Sequence, residues 1–104
     1  MQTLSEEYAE VGDMWADAEA AASLLEDLKS SFLSQKMQDW IASGHAVNKA
    51  EAMVKSSPEW TEYVTKTINQ RKAANKLKVK LEVIRMRAWE NTNQEANNRM
   101  AARI

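Results

Sequence analysis

The sequence predicts an all-α protein: a long antiparallel helical hairpin of coiled-coil type, with a short helix in the connection, that assembles into a helical bundle. Three observations predict it. No glycine or proline follows Pro58, and the first 42 residues contain only Gly12, so both arms lack helix breakers. The breakers gather instead at Ser43-Gly44-His45 and Ser56-Ser57-Pro58. Apolar residues recur at alternating spacings of four and three along both arms, the spacing of paired helices. Residues 1–104 then form a single helical domain, with a long helix over about 4–42, a short one over about 48–56 and a second long one over about 58–101.

In the first arm, Ser5 ahead of Glu6 and Glu7 reads as an N-cap followed by carboxylates where the helix dipole favours them. Leu4, Tyr8, Val11, Trp15, Ala18, Ala22 and Leu25 form the stripe, which widens through Leu28, Phe32, Leu33, Met37, Trp40 and Ile41. Gly12 costs this arm about 1 kcal/mol relative to alanine. Gly44 is a helix stop, since glycine accepts the left-handed conformation beyond a last turn. Asn48-Lys49-Ala50-Glu51 has the spacing of a capping box for the short helix. Ser57-Pro58-Glu59 opens the last helix with a serine cap, a proline whose missing N–H costs nothing there, and an acid in the first turn. Its stripe is Tyr63, Thr67, Gln70, Ala74, Leu77, Leu81, Ile84 and Ala88. With Ile41 set opposite Trp60, Glu19 falls near Glu82, Asp13 near Ala88 and Glu6 near Glu95.

Composition narrows the function classes. The 44% of apolar residues excludes a disordered tail, and the absence of cysteine excludes a disulfide framework or a thiolate metal site. No apolar run approaches the roughly 20 residues that cross a bilayer, and the N-terminus does not read as an export signal. The expectation is a cytoplasmic protein without membrane partners. Charge divides between the arms. Residues 1–42 carry nine acids against two bases, a net of −7, while residues 43–104 carry twelve bases against six acids, a net of +6.

Three surfaces stand out. Ile68, Val79, Val83 and Met86 fall opposite the seam of the last helix at about 100° per residue, so a two-helix hairpin leaves them exposed. Together with Trp89 they are the candidate self-association residues of a homo-oligomer, for which a dimeric four-helix bundle is the simplest closed form. Lys72, Lys76, Lys80 and Arg87 form one basic row and Arg71, Lys78 and Arg85 another. Either could follow a nucleic-acid backbone or pair with an acidic protein surface. Glu6, Glu10, Asp13 and Asp17 form an acidic face on the first arm. Of the four tryptophans, Trp15 and Trp40 lie on the seam, and Trp60 and Trp89 on its flank.

Nothing in the chain reads as catalytic. His45 is the only histidine and sits in a predicted turn, no glycine-rich phosphate loop exists, and neighbouring acids such as Glu6/Glu7 point apart on a helix. No cofactor is expected, and the protein reads as a non-enzyme.

The Ser57-Pro58-Glu59-Trp60 start, the basic stretch that follows, and the segment Leu81-Glu82-Val83-Ile84-Arg85-Met86-Arg87-Ala88-Trp89-Glu90 before an Asn/Arg-rich tail resemble small helical proteins encoded by tailed phages and prophages. The likeness covers roughly residues 43–100. It implies a phage-type origin, in the cytoplasm of a host cell, more than any one activity. Joined to the surfaces above, it gives the expectation of a self-associating accessory or adaptor protein that binds protein partners, beside nucleic-acid enzymes such as those of recombination. The alternatives are an inhibitor that sets its acidic first helix into the basic channel of a host nucleic-acid enzyme, or a structural component of virion assembly.

Overall fold

The computed structural model describes residues 2–102; Met1, Arg103 and Ile104, part of the single-domain span, lie outside the described residues. Four helices follow in order: α1 (Leu4–Asp27), α2 (Lys29–Ala42), α3 (Val47–Lys55) and α4 (Pro58–Ala102). α1 and α4 pack along one another as the antiparallel hairpin, and α2 packs chiefly on α3, which closes against the start of α4. The molecule measures 85 × 21 × 17 Å, and its radius of gyration of 23.5 Å far exceeds the roughly 13 Å of a globular chain of this length.

Helix ends explain much of this layout. Thr3, rather than Ser5, caps α1: its Oγ1 accepts from Glu6 N at 3.1 Å. Gly44 stops α2 with a φ of 98°, and the bonds Gly44 N to Ile41 O and His45 N to Trp40 O form the paired closure of a Schellman motif. His45 lays its ring edge-on against Trp40 in that turn. α3 starts at Val47 with no side-chain cap, because Asn48 Oδ1 accepts from Lys49 N instead of completing the expected capping box. Ser57 does cap α4: its Oγ accepts from Trp60 N at 3.3 Å while donating to Val54 O, which ties α3 to α4.

The first arm is not one straight helix. α1 ends at Asp27 and α2 resumes at Lys29, with Leu28 between them at φ −85° and ψ −2°. Neither proline nor glycine is present. The break has a tertiary cause: Tyr63 of α4 donates its hydroxyl to Leu25 O at 2.5 Å, at the carbonyl Lys29 N–H would otherwise take. A side chain inserted into the backbone ladder bends a helix, and α2 turns aside toward α3. Phe32 stacks on Tyr63 with ring centroids 4.4 Å apart and reaches Trp60 at 6.2 Å, filling the inside of the bend. Leu28, expected on the buried stripe, is consequently exposed.

The hairpin register also differs from the expected one, and it is the same on both sides of the bend, where Phe32 faces Tyr63 and Trp60. Leu81 lies against Gly12, and Tyr8 shares a cleft with Ile84 and Ala88. Relative to a straight arm with Ile41 opposite Trp60, the pairing has moved by about two helical turns. Val11 and Ala22 of α1 and Thr67, Ala74 and Ile84 of α4 are buried along the seam, and Ala50 and Val54 of α3 are buried in the clasp. Trp15 is half-buried, and its indole N–H is enclosed without a hydrogen-bond partner among the described residues. Beyond Ala88, α4 runs on past the start of α1, and residues 89–102 are exposed on every face.

Two substitutions test this packing. A Cβ on Gly12 would meet Leu81 Cδ2 at 3.9 Å, an ordinary contact, so Gly12→Ala is expected to stabilise the fold by about 0.5–1 kcal/mol in urea denaturation. Tyr63→Phe removes the bond to Leu25 while keeping the stack on Phe32, and is expected to cost about 1 kcal/mol in the same measurement.

Candidate interaction surfaces

The new register makes internal use of a residue assigned above to a basic row. Arg71 reaches across the seam as a fork: Nε and Nη2 donate to the two oxygens of Glu26 at 2.9 and 2.6 Å, and Nη1 donates to Glu19 at 2.5 Å. Arg71 therefore does not belong with Lys78 and Arg85 as a free cation. Glu19 sits beside Arg71 and not near Glu82. The hydrogen bonds from Arg71, reinforced by the attraction of opposite charges, hold the Glu26 carboxyl below its ordinary range against a smaller opposing effect of desolvation. The same bonds to Glu26 and Glu19 raise the Arg71 guanidinium.

Register also aligns charge. The helix α1 has eight acids and no base, and it lies along the stretch of α4 from Lys66 to Arg87, which has eight bases and only Glu82 as an acid. The straight-arm pairing would have left part of that basic stretch without acids opposite. In the folded hairpin an acidic helix runs beside a basic one for its whole length.

On the outer face of α4, Ile68 (60% exposed), Val79 (58%), Val83 (41%) and Met86 (59%) stand free. The short α3 leaves Ile68 uncovered. Ile68, Arg71, Lys72, Asn75, Lys76 and Val79 line an open groove of about 560 Å³ on this face. Lys72, Lys76, Lys80 and Arg87 are exposed beside it and make no ion pair among the described residues. Trp89, 68% exposed, lines a second depression with Met86, Arg85 and Glu90 where α4 leaves the hairpin.

The outer face of α1 is acidic. Glu6, Glu10, Asp13 and Asp17 are all exposed, and Gln2 donates to Glu10 at 2.5 Å. Between and beside them lie Ala9, Ala16, Ala20 and Leu24, also exposed. The alanine run at 20–22 divides accordingly, with Ala22 buried in the seam and Ala20 facing outward. Ala20-Ala21-Ala22 reads from the sequence as part of the buried stripe, whereas Ala9 and Ala16 belong to no stripe; the spacing of Ala9, Ala16 and Ala20 places all three on the outward side of the helix.

A fourth feature was not foreseen. Leu4, Ser5, Tyr8, Ile84, Arg85, Ala88 and Asn91 line a largely apolar cleft of about 440 Å³ at the open end of the hairpin. It forms where the seam runs out and α4 continues alone. Among the described residues no three His, Asp or Glu side chains converge as metal ligands, and no helix is long and apolar enough to cross a membrane.

The Arg71 fork has a pH signature. Glu26 titrates lower in the folded state than in the unfolded chain, so its contribution is complete above the unfolded value of about 4.3 and fades as pH falls through the lower folded value. Arg71→Ala is expected to lower the urea midpoint at neutral pH, and the gap from the parent should narrow as pH falls below the unfolded carboxylate value and on through the lower folded value of Glu26. Arg71→Lys should recover only part of the loss, since an ammonium cannot fork to both carboxylates. Comparison of the chain with protein-family models, with curated proteins and with solved structures finds no match.

Proposed function

We propose that this protein is a non-enzymatic, self-associating interaction module whose working surface is the outer face of α4. What supports the reading is surface left over after folding. The chain exposes 7934 Å², against roughly 5,900 Å² for a globular monomer of 11.8 kDa. The excess is more than twice the roughly 800 Å² that each partner buries in a standard protein–protein interface. Part of it is an apolar strip, Ile68, Val79, Val83 and Met86, interrupted between Ile68 and Val79 by Lys72 and Asn75 and edged by Lys76, Lys80 and Arg87. Apolar side chains at the centre with charges at the rim are the ordinary anatomy of an interface.

The resemblance of residues 43–100 to small phage and prophage proteins fits an accessory or adaptor role in the cytoplasm of a host cell, acting through protein contacts beside nucleic-acid enzymes. Direct tracking of a nucleic-acid backbone is the weaker use of this surface. The molecule is only 17–21 Å across, so the eight acids of α1 lie within about two Debye lengths of the lysine row and reduce its field.

Light scattering tests the proposal. The parent protein is expected to exceed its monomer mass, and Val79→Glu/Val83→Glu to reduce it to the monomer with its helicity unchanged. A parent that stays monomeric at every attainable concentration would remove self-association from the account.

A further inference from the structure

Resting on that self-association reading, we propose that what seats on the outer face of α4 is the outer face of α1 from a second copy, so that hairpins stack front to back into an open series.

The two faces are opposites in size and charge. The α4 strip offers the large side chains Ile68, Val79, Val83 and Met86, all exposed. The α1 strip offers Ala9, Ala16 and Ala20, whose small side chains let a facing helix come close, with Leu24 at one end. Lys72, Lys76, Lys80 and Arg87 accompany the first strip, and Glu6, Glu10, Asp13 and Asp17 the second. Two copies meeting α4 to α4 would bring large side chains against large ones and, with the helices antiparallel, set lysines beside lysines. Like charges so placed oppose association.

Rotational order around the helices fixes the direction. At about 100° per residue, Lys76, Lys80 and Arg87 lie roughly 50–100° beyond the centre of their apolar strip, whereas on the other flank Glu82 lies nearest and Lys78 and Arg85 stand farther off, at about 100–120°. Glu10 and Asp17 lie about 60–80° beyond the centre of theirs in the same sense as Lys76, Lys80 and Arg87. Flanks of the same sense face each other only between antiparallel helices; between parallel ones each would face the other's opposite flank. The α1 of the second copy therefore runs antiparallel to α4, as α1 of the same chain already does. Every copy keeps one orientation, and the helices alternate up and down across the stack. The contact is heterologous, because each copy uses two different surfaces on opposite sides of the hairpin. Such a contact propagates unless its rotation closes a ring.

Blocking one face at a time is the test. Glu10→Lys/Asp13→Lys spoils the α1 face and leaves α4 intact; Val79→Glu/Val83→Glu spoils α4 and leaves α1 intact. By sedimentation velocity the parent is expected to grow with concentration without a plateau at the dimer, and to dissociate as salt is raised. Each variant alone is expected to be a folded monomer by circular dichroism and sedimentation. Mixed in equal amounts, the two should form a one-to-one heterodimer and go no further, since one usable face of each kind remains. A parent dimer that survives Glu10→Lys/Asp13→Lys but is lost in Val79→Glu/Val83→Glu would overturn the stacking while keeping self-association. A monomeric parent would overturn both. Two folded variants that fail to recombine would overturn the stacking.

Discussion

The structure depends on one long-range constraint, the attachment of α4 to the end of α1 by Tyr63 and Arg71. Tyr63 takes the Leu25 carbonyl, and two turns further along α4 the Arg71 guanidinium is held between Glu19 and Glu26. The coiled-coil-like seam mixes small residues such as Ala18, Ala22 and Ala74 with Tyr8, Trp15, Leu81 and Ile84, and because the same apolar spacing repeats along both arms, apolar contact alone leaves neighbouring registers open. The fork does not. A shift of one turn, about 5.4 Å along the axis, separates charge-assisted bonds of ordinary length. Exposed ion pairs contribute little singly, but a guanidinium shared by two carboxylates gains from geometry and is set to specify register more than to add stability.

Three properties follow from that register. The acids of α1 come to lie along the bases of α4, so the hairpin is nearly neutral in cross-section and strongly polarised from front to back. The outward faces differ in kind: small and acidic on α1, large, apolar and basic on α4. Finally, α4 has 45 residues and α1 has 24, so α4 overruns its partner once the other end is fixed by the clasp of α2 and α3. That overrun is polar apart from Trp89, Ala96, Met100, Ala101 and Ala102, and it opens the cleft at Leu4, Tyr8, Ile84 and Ala88.

Much of the fold could be read from local chemistry. The Gly44 stop, the Ser57-Pro58 start and most of each stripe act through neighbouring residues, and the structure shows them in place, although Tyr8, Leu28 and Ala88 of the stripes are exposed. What could not be read is what one arm does to the other. No glycine or proline marks Leu28; the break there comes from a tyrosine 38 residues away from the carbonyl it engages. A straight first arm with Ile41 opposite Trp60 lies about two turns from the observed register, and in it Arg71 is one more cation in a row. Capping was misjudged more modestly, since Thr3 and Ser5 offer the same hydroxyl and the choice depends on the path by which the chain enters the helix. The outward residues Ile68, Val79, Val83 and Met86 needed only the helical period, and they are exposed where the sequence places them. Ala20 reads from the sequence as a point of close helix approach on the seam, but it faces outward with Ala9 and Ala16, which are too small to form an apolar stripe of their own.

The register is most directly tested by a distance between the arms. The chain lacks cysteine, so spin labels can be placed at Ser5→Cys and Arg87→Cys, with labelled protein diluted into unlabelled protein to suppress contacts between copies. With Tyr8 beside Ile84 and Leu81 against Gly12, these positions lie nearly level across helices whose axes are about 8–10 Å apart. A narrow distribution centred at about 20 Å, once the label arms are included, is the predicted result. The straight-arm pairing would displace the labels along the axis by about 13 Å, and a distribution correspondingly longer would contradict the Tyr63 and Arg71 attachment and the charge alignment that depends on it.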